Sequence, residues 1–483
     1  MTEQPKVLPF WVAGSSVTTD EIAEVRHPGD GSLVARYSVP DAGAVEAAVA
    51  AAVAVRGEWQ ASTAAARAAV LDHLSQSLQN GIDEVAELIT AENGKPLMWS
   101  RGEVTRAIST FRWAAEEARR FGGELQRLDT DPAAAGRAAI IRRFPRGPVL
   151  GIAPFNFPLN LVAHKLAPAI AVGTPIIVKP SPKTPLSALL LGDLLAETDL
   201  PAGAVSVLPV DTEATKQLIE DPRLPVISFT GSDVVGRAIA RSVPLKHVTL
   251  ELGGDAAAVV CADYSSEKDL DWAATRIATF GMYQAGQSCI GVQRVIVAES
   301  LAASFTERLV AAVNELPTGS PWDAATVVGP VIDEASGARI ESWISGAVNG
   351  GARVLCGGAR NGTSVEPTVI TDVPADSYLA NNEVFGPVVI ISTVGDFDEA
   401  LAKVNDSRFG LQTGLFTHDI QNAFRAFREL EVGGVVIGDV PSFRADQMPY
   451  GGVKDSGNGR EGIRFAMADY TEERVMVLTG IDL

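Results

Sequence analysis

Residues 148–179 read PVLGIAPFNFPLNLVAHKLAPAIAVGTPIIVK: a β-branched run, a proline-rich loop, a helix-length apolar segment closed by glycine, and a second β-branched run. A strand, a crossover helix and another strand form the unit of a parallel sheet. The alternation continues outward through the helical SALLLGDLLAETD (187–199), the strand AVSVLPV (204–210), the helical ATKQLIEDP (214–222) and the strand VISFTG (226–231). Helical spacers of this length predict a doubly wound α/β sheet. A second set starts near residue 253: AAAVV (256–260), a helix through DLDWAATRIATFGMYQ (269–284), RVIVAE (294–299), a helix in SFTERLVAAVNEL (304–316), then ISTVG, ALAKVND, GLFT and GGVVIG. Two doubly wound α/β domains in series are therefore expected.

Upstream, DAGAVEAAVAAAVAVRGEW (41–59) and STAAARAAVLDHLSQSLQNGIDEVAELITAENGK (62–95) are rich in alanine and leucine, with apolar residues three and four apart. They read as surface helices. The segment from Ala138 to Pro158 then turns to β-branched pairs, arginines and prolines, which predicts strands.

Composition bounds the rest. With 483 residues, 46% of them hydrophobic, the chain exceeds one core and divides into domains. A formal net charge of -19 lacks the basic footprint that a nucleic-acid partner requires. Cys261, Cys289 and Cys356 are too few for a disulfide framework, and no CxxC pair suggests zinc, so no metal is expected. A reducing cytoplasm fits. The N-terminal MTEQPKVLPFWVAGSS has no basic segment leading into a long apolar core, and a soluble, membrane-free protein is expected.

Cys289 stands in FGMYQAGQSCIGVQRVIV (280–297), among small and polar residues before a strand. Such a setting permits close substrate approach, although by itself it also suits a structural cysteine. Glu251, in VTLELGGD, ends a β-rich run before two glycines, which leaves a carboxylate at a sheet edge: a general base if buried, an ordinary paired carboxylate otherwise. Asn156, between aromatics and prolines in APFNFP, suits an oxyanion donor or a turn cap.

The order of these pieces decides among the readings. APFNFPLN (153–160), VKPSPKTP (178–185), FTGSDVVG (229–236), LELGGD (250–255), GQSC (286–289), NEVFGPV (382–388) and MPYGGVKDSGNGREG (448–462) together resemble the aldehyde dehydrogenase superfamily across essentially the whole chain. The resemblance implies Cys289 as the nucleophile that forms a thiohemiacetal and then a thioester. It implies Asn156, with the Cys289 backbone N–H, as the oxyanion hole, and Glu251 as the activator of the deacylating water. A free acid product follows, because CoA-acylating relatives generally lack that glutamate. Glu251 and Cys289 stand slightly farther apart than is usual, and the extra residues fall in the polar CADYSSEKD (261–269).

For the cofactor the resemblance implies NAD or NADP, bound without a GxGxxG fingerprint. Lys179 and Ser181 would meet the adenine ribose, while Gly231, Ser232, Gly236 and Leu252 would lie along the pyrophosphate. Glu383 and Phe385 would hold the nicotinamide ribose and ring. Pro182 stands where strongly NAD-preferring members carry a glutamate, which removes one barrier to NADP, and Lys183 adds positive charge. Asp255 and Gly438 also depart from common family residues, lysine or asparagine at the first and asparagine at the second.

The loop VPSFRADQMPYGGVKDSG (440–457) looks most like members acting on small polar aldehydes or semialdehydes. Arg444 there suits an anionic substrate tail, while Phe155, Phe157 and Trp113 suit a more apolar tunnel. The implied domains are 1–127 with 148–252 for the dinucleotide, and 253–437 for catalysis. Residues 128–147 with 466–483 form a β arm for oligomerisation, and 438–465 return to the cofactor domain and substrate mouth. The tail YTEERVMVLTG, half apolar, would pair across subunits of a homodimer or homotetramer. Two rivals are a cysteine hydrolase and a non-catalytic relative that keeps the fold. The five histidines fall outside Cys/His motifs, which argues against the first.

Overall fold

The computed structural model describes residues 7–480. Residues 1–6, expected in the first domain, and 481–483, expected in the β arm, lie outside the described residues.

Among the described residues the first sheet has eight strands. Five adjacent ones, His247–Glu251, Val226–Thr230, Val149–Ile152, Ile176–Lys179 and Val205–Val207, run parallel in that spatial order. Val149, Leu150 and Ile176 to Val178 are fully buried, as strands covered on both faces must be. The helix Asn160–Val172 is buried along its whole length and stops at Gly173, whose φ of 73° suits glycine. From Val149–Ile152 the chain adds strands first to one side and then to the other. Its switch point therefore lies between Val149–Ile152 and Val226–Thr230, where open α/β sheets place their ligands. Gly457–Asn458 closes one edge antiparallel, and Phe10–Val12 with Ser15–Val17 the other.

The second sheet has seven strands, in the order Arg353–Cys356, Thr368–Thr371, Val388–Val394, Arg294–Ala298, Ala257–Val260, Gln412–Phe416 and Gly434–Ile437. All neighbours are parallel except at Arg353–Cys356. The mixed α/β architecture expected from the 148–179 pattern is thus present twice. The short strands Val7–Leu8, Ile22–Arg26 and Leu33–Ser38 form a small sheet that periodicity did not reveal.

The helices Ala42–Ala61, Ala64–Asn80, Ile82–Asn93 and Leu97–Arg120 fill the expected helical region. They are not simply surface helices: Val104, Ala107, Phe111 and Ala114 are fully buried where Leu97–Arg120 packs between Ala64–Asn80 and Asn160–Val172. Glu124–Arg127, Arg137–Pro145 and Thr471–Thr479 form a separate antiparallel sheet. It starts ahead of residue 128, while Ile463–Asp469 is a helix packed on Asn160–Val172 and buries Met467 in the first core. Among the described residues no helix is long and apolar enough to cross a membrane.

Candidate active site

The chain passes from His247–Glu251, in the first sheet, through Leu252–Ala256 into Ala257–Val260, in the second. The C-terminal edge of one parallel sheet therefore meets the entry edge of the other. Asn156 follows Val149–Ile152, Lys179 and Glu251 end their strands, and Gly231 with Ser232 follow Val226–Thr230. From the second sheet, Cys289 precedes Arg294–Ala298, and Glu383 and Phe385 precede Val388–Val394.

The cysteine loop is held by unusual backbone. After the helix Glu267–Met282, Gln284, Ala285 and Gly286 take φ of 54°, 53° and 69°. Each non-glycine residue in this left-handed region costs about 1–2 kcal/mol, which side-chain hydrogen bonds offset. Gln284 Nε2 donates to the Asn156 carbonyl at 2.6 Å, and Asn156 Nδ2 donates to the Gln287 carbonyl at 3.1 Å. Gln287 Oε1 accepts from the Ile332 N–H at 2.9 Å. Gly286 is required by close approach, since a Cβ there would stand 1.9 Å from the Gly386 carbonyl oxygen. Asn156, the cysteine loop and the NEVFGPV segment are thereby one packed unit.

Cys289 Sγ lies 3.0 Å from Tyr450 Oη. Burial pushes its thiol up to about 11; the Tyr450 hydrogen bond and Arg444 pull it down, while Glu383 and Glu251 push it further up. Glu251 is buried, and among the described residues neither carboxylate oxygen has a hydrogen-bond partner. Burial, with Glu461 adding to it, holds its carboxyl well above the usual range. Behind it, Lys165 donates to Thr230 Oγ1 at 2.7 Å and lies 3.4 Å from Glu461 Oε1. Against the cost of burial, Lys165 and Arg444 hold Glu461 at about 2.

On the cofactor side, Ser232 caps the helix Asp233–Ser242 at the switch-point edge. A Cβ at Gly236 would stand 2.4 Å from Leu252 Cδ2, so glycine lets that helix close on the strand end. Burial pushes the Lys179 ammonium down to about 8, with Asp211 opposing. Among the described residues the Lys179 ammonium makes no hydrogen bond or ion pair, while the Lys179 carbonyl accepts from the Ala153 N–H at 3.0 Å. Ser181 Oγ accepts from the Lys183 N–H at 3.2 Å, and Lys183 is ion-paired with Asp333. Glu383 accepts from the Gly254 N–H at 3.0 Å, and burial pushes it up to about 8. Phe385, at φ 47°, meets Phe155 edge-on at 5.8 Å. A lysine with an unpaired ammonium and a capped helix N-terminus at the same sheet edge, with the Glu383 carboxyl from the second sheet, fit a dinucleotide's phosphates and ribose hydroxyls.

The Arg444 side chain is buried: Nη2 donates to Glu461 Oε2 at 2.9 Å, its guanidinium lies 3.9 Å from the Tyr450 ring, and Nε has no partner among the described residues. Phe157 lies under the Lys95 ammonium at 4.0 Å. Trp113 packs half-buried on the first core, and among the described residues no hydrogen bond joins it to Cys289. The two family departures acquire structural reasons. Asp255 is buried and pairs with Arg294 Nε at 3.0 Å while accepting from Ser407 at 2.8 Å. Gly438 has φ 77°, a conformation that glycine and asparagine tolerate best. Cys261 is pushed up to about 12 by burial, as suits a structural thiol. His164 is buried 3.3 Å from Asp446.

Sequence reasoning missed Tyr450, Gln284, Gln287, Lys165, Glu461 and Arg106. Tyr450 and Glu461 were inside a quoted motif, MPYGGVKDSGNGREG, but nothing local showed that they turn toward Cys289 and Lys165. Arg106 joins the same loop through Asp446 Oδ1, 3.1 Å from its Nη2.

Known proteins share this fold. Residues 11–476 match the model of the aldehyde dehydrogenase family. The chain is 40% identical over 477 residues to a 3-sulfolactaldehyde dehydrogenase of Priestia aryabhattai, covering 98% of each. It is similar to the structure of aldehyde dehydrogenase 21 from Physcomitrella patens in complex with the product succinate, with a TM-score of 0.97, 43% identity and 99% of each chain covered. It is also similar to NADP-dependent glyceraldehyde-3-phosphate dehydrogenase from Bacillus halodurans C-125 complexed with NADP, with a TM-score of 0.94, 33% identity, and coverage of 99% and 100%. The chain belongs to the aldehyde dehydrogenase family.

Proposed function

We propose that this enzyme oxidises a small polar aldehyde carrying an anionic tail to its carboxylic acid, with Cys289 as nucleophile and NAD or NADP as oxidant. The observation that carries the reading is the meeting of Cys289, Asn156 and the unpartnered, buried carboxyl of Glu251 between the two sheet edges. When bound, the nicotinamide supplies the hydride acceptor. The protein does the rest. Cys289 sulfur adds to the aldehyde carbon, and the Asn156 amide, with its second N–H still free of the Gln287 carbonyl, and the Cys289 backbone N–H receive the developing oxyanion. Once the thioester has formed, Glu251 takes a proton from water, and the water oxygen displaces Cys289 sulfur.

Lys179, Ser181, Gly231, Ser232, Gly236, Leu252, Glu383 and Phe385 are the residues to hold the dinucleotide. Pro182 and the unpaired Lys179 favour use of NADP as well as NAD. Arg444 and Arg106 each keep a buried Nε–H without a partner, which suits recognition of a carboxylate or sulfonate. The succinate-bound Physcomitrella patens structure and the 3-sulfolactaldehyde dehydrogenase relative support an anionic tail. Exposed Val475, Met476 and Val477 on the three-stranded arm support a homodimer or homotetramer, and three free cysteines support a cytoplasmic setting.

The test follows absorbance at about 340 nm with separate NAD and NADP and a panel of semialdehydes, sulfonated aldehydes and uncharged analogues. Reduction that favours anionic aldehydes and disappears in Cys289→Ala is expected. Equal turnover of uncharged analogues would remove the anionic-tail reading, and turnover surviving in Cys289→Ala would remove the nucleophile.

A further inference from the structure

We infer that Tyr450 is a further catalytic residue, whose phenolic O–H donates a hydrogen bond to the Cys289 thiolate and sets how readily the sulfur ionises. The inference rests on the assignment of Cys289 as nucleophile. Tyr450 Oη stands 3.0 Å from Sγ, the one side-chain hydrogen bond that the sulfur makes among the described residues.

The ring that carries this hydroxyl has no freedom to swing away. Ile290 and Leu411 pack with it in a buried cluster, against which the half-buried Cys289 rests. Its backbone is clamped to Glu461 in both directions: the Tyr450 N–H donates at 3.0 Å, and its carbonyl accepts at 2.7 Å. Glu461 in turn binds Arg444, whose guanidinium covers the Tyr450 ring at 3.9 Å. A cation on the face of a phenol draws density from the ring and makes its O–H a stronger donor. The clamp and the cation together aim a polarised donor at one atom.

The direction of the bond follows from chemistry. A thiolate has no proton to give, and burial keeps the phenol protonated far above neutral pH. In the reactive state the bond must therefore run from Oη–H to sulfur. The other charges facing the thiol are Arg444, which favours the thiolate, and Glu383 and Glu251, which oppose it. Facing Tyr450 are Arg444, Glu251 and Cys289 itself. When ionised, the two carboxyls disfavour ionisation of the half-buried sulfur, and Tyr450 with Arg444 supplies the compensation. A hydrogen bond to an ionised group is the kind that shifts a thiol most.

The test measures alkylation of Cys289 by iodoacetamide as a function of pH in the full-length enzyme, with the modified peptide identified by mass. Tyr450→Phe removes one oxygen and keeps the packed ring. The expected result is a roughly tenfold slower alkylation at a given pH, equivalent to about one unit in thiol pKa, and a matching alkaline displacement of the kcat/KM profile. An unchanged rate, or a faster one because the hydroxyl merely shields sulfur, would overturn the inference. Loss of aldehyde oxidation in Cys289→Ala combined with unchanged alkylation in Tyr450→Phe would discard Tyr450 alone. Oxidation surviving in Cys289→Ala would discard the nucleophile on which it rests.

Discussion

Gly451 lies directly against the carboxyl of Glu251: a Cβ atom at that position would stand 2.7 Å from Oε1. The same atom would meet Arg460 Cδ and the Gly459 carbonyl oxygen, each at 2.9 Å. Gly451→Ala must therefore displace the carboxyl or the loop that carries Tyr450. Overpacking of this kind costs about 1–3 kcal/mol. A lower Tm together with a fall in kcat greater than the change in KM is expected, measured by thermal melts and steady-state kinetics.

Glu251 is buried without a hydrogen-bond partner, a poor arrangement for stability and a good one for a base. Glu251→Gln should reduce steady-state turnover by roughly 10²–10⁴-fold while leaving a first-turnover burst of reduced cofactor, seen by stopped flow. Its carboxyl titrates above the unfolded value, so the folded state holds a proton that the unfolded state has lost. Stability from this group is fully present below about pH 4.3, the reference glutamate value, and is lost as pH rises through the folded value. Glu251→Gln is accordingly expected to raise Tm at about pH 8 relative to the parent and to narrow that gap near about pH 4.

Much of this was open to a reader of the sequence, for physical reasons that can be named. Strands such as Ile176–Lys179 are buried on both faces and hence continuously β-branched, so their alternation with helices showed. Cys289, Glu251 and Asn156 were visible through the motifs around them. Lys95 and Glu103 were not. Lys95 closed a stretch read as surface helix, yet it and Glu103 form an ion pair without solvent exposure. Glu103 Oε1 also accepts from the N–H groups of Leu159 and Asn160 at 2.9 and 3.0 Å, and so caps the helix after the Asn156 loop. Contacts across so many residues leave no periodic trace. The short strands before residue 40 escaped for a related reason: runs of two to six residues carry too little pattern.

That buried pair makes a prediction of its own. Glu103→Gln or Lys95→Met leaves one charge uncompensated inside the protein, and a loss of about 3–5 kcal/mol is expected from denaturant unfolding. Asn156 should be misplaced at the same time. In an Asn156→Ala background Glu103→Gln should reduce kcat little further, a non-additivity that a double-mutant cycle reads directly.

Cofactor choice can be tested at Pro182. Pro182→Glu restores a carboxylate beside the expected 2′ position, and the NADP/NAD ratio of kcat/KM should fall about tenfold or more. Lys179 loses its charge near pH 8. KM for NADP should accordingly rise above that pH more steeply than KM for NAD, and Lys179→Met should remove the difference.

The most direct test of the central claim is a mass measurement on Glu251→Gln, mixed with aldehyde and NADP and quenched in acid. A thioester at Cys289 adds the aldehyde's mass less two hydrogens, located to the peptide that contains residue 289 and absent from Cys289→Ala. That adduct is the expected result. Reduced cofactor formed by Glu251→Gln without any adduct, or an adduct on Cys261 or Cys356 instead, would contradict catalysis through Cys289.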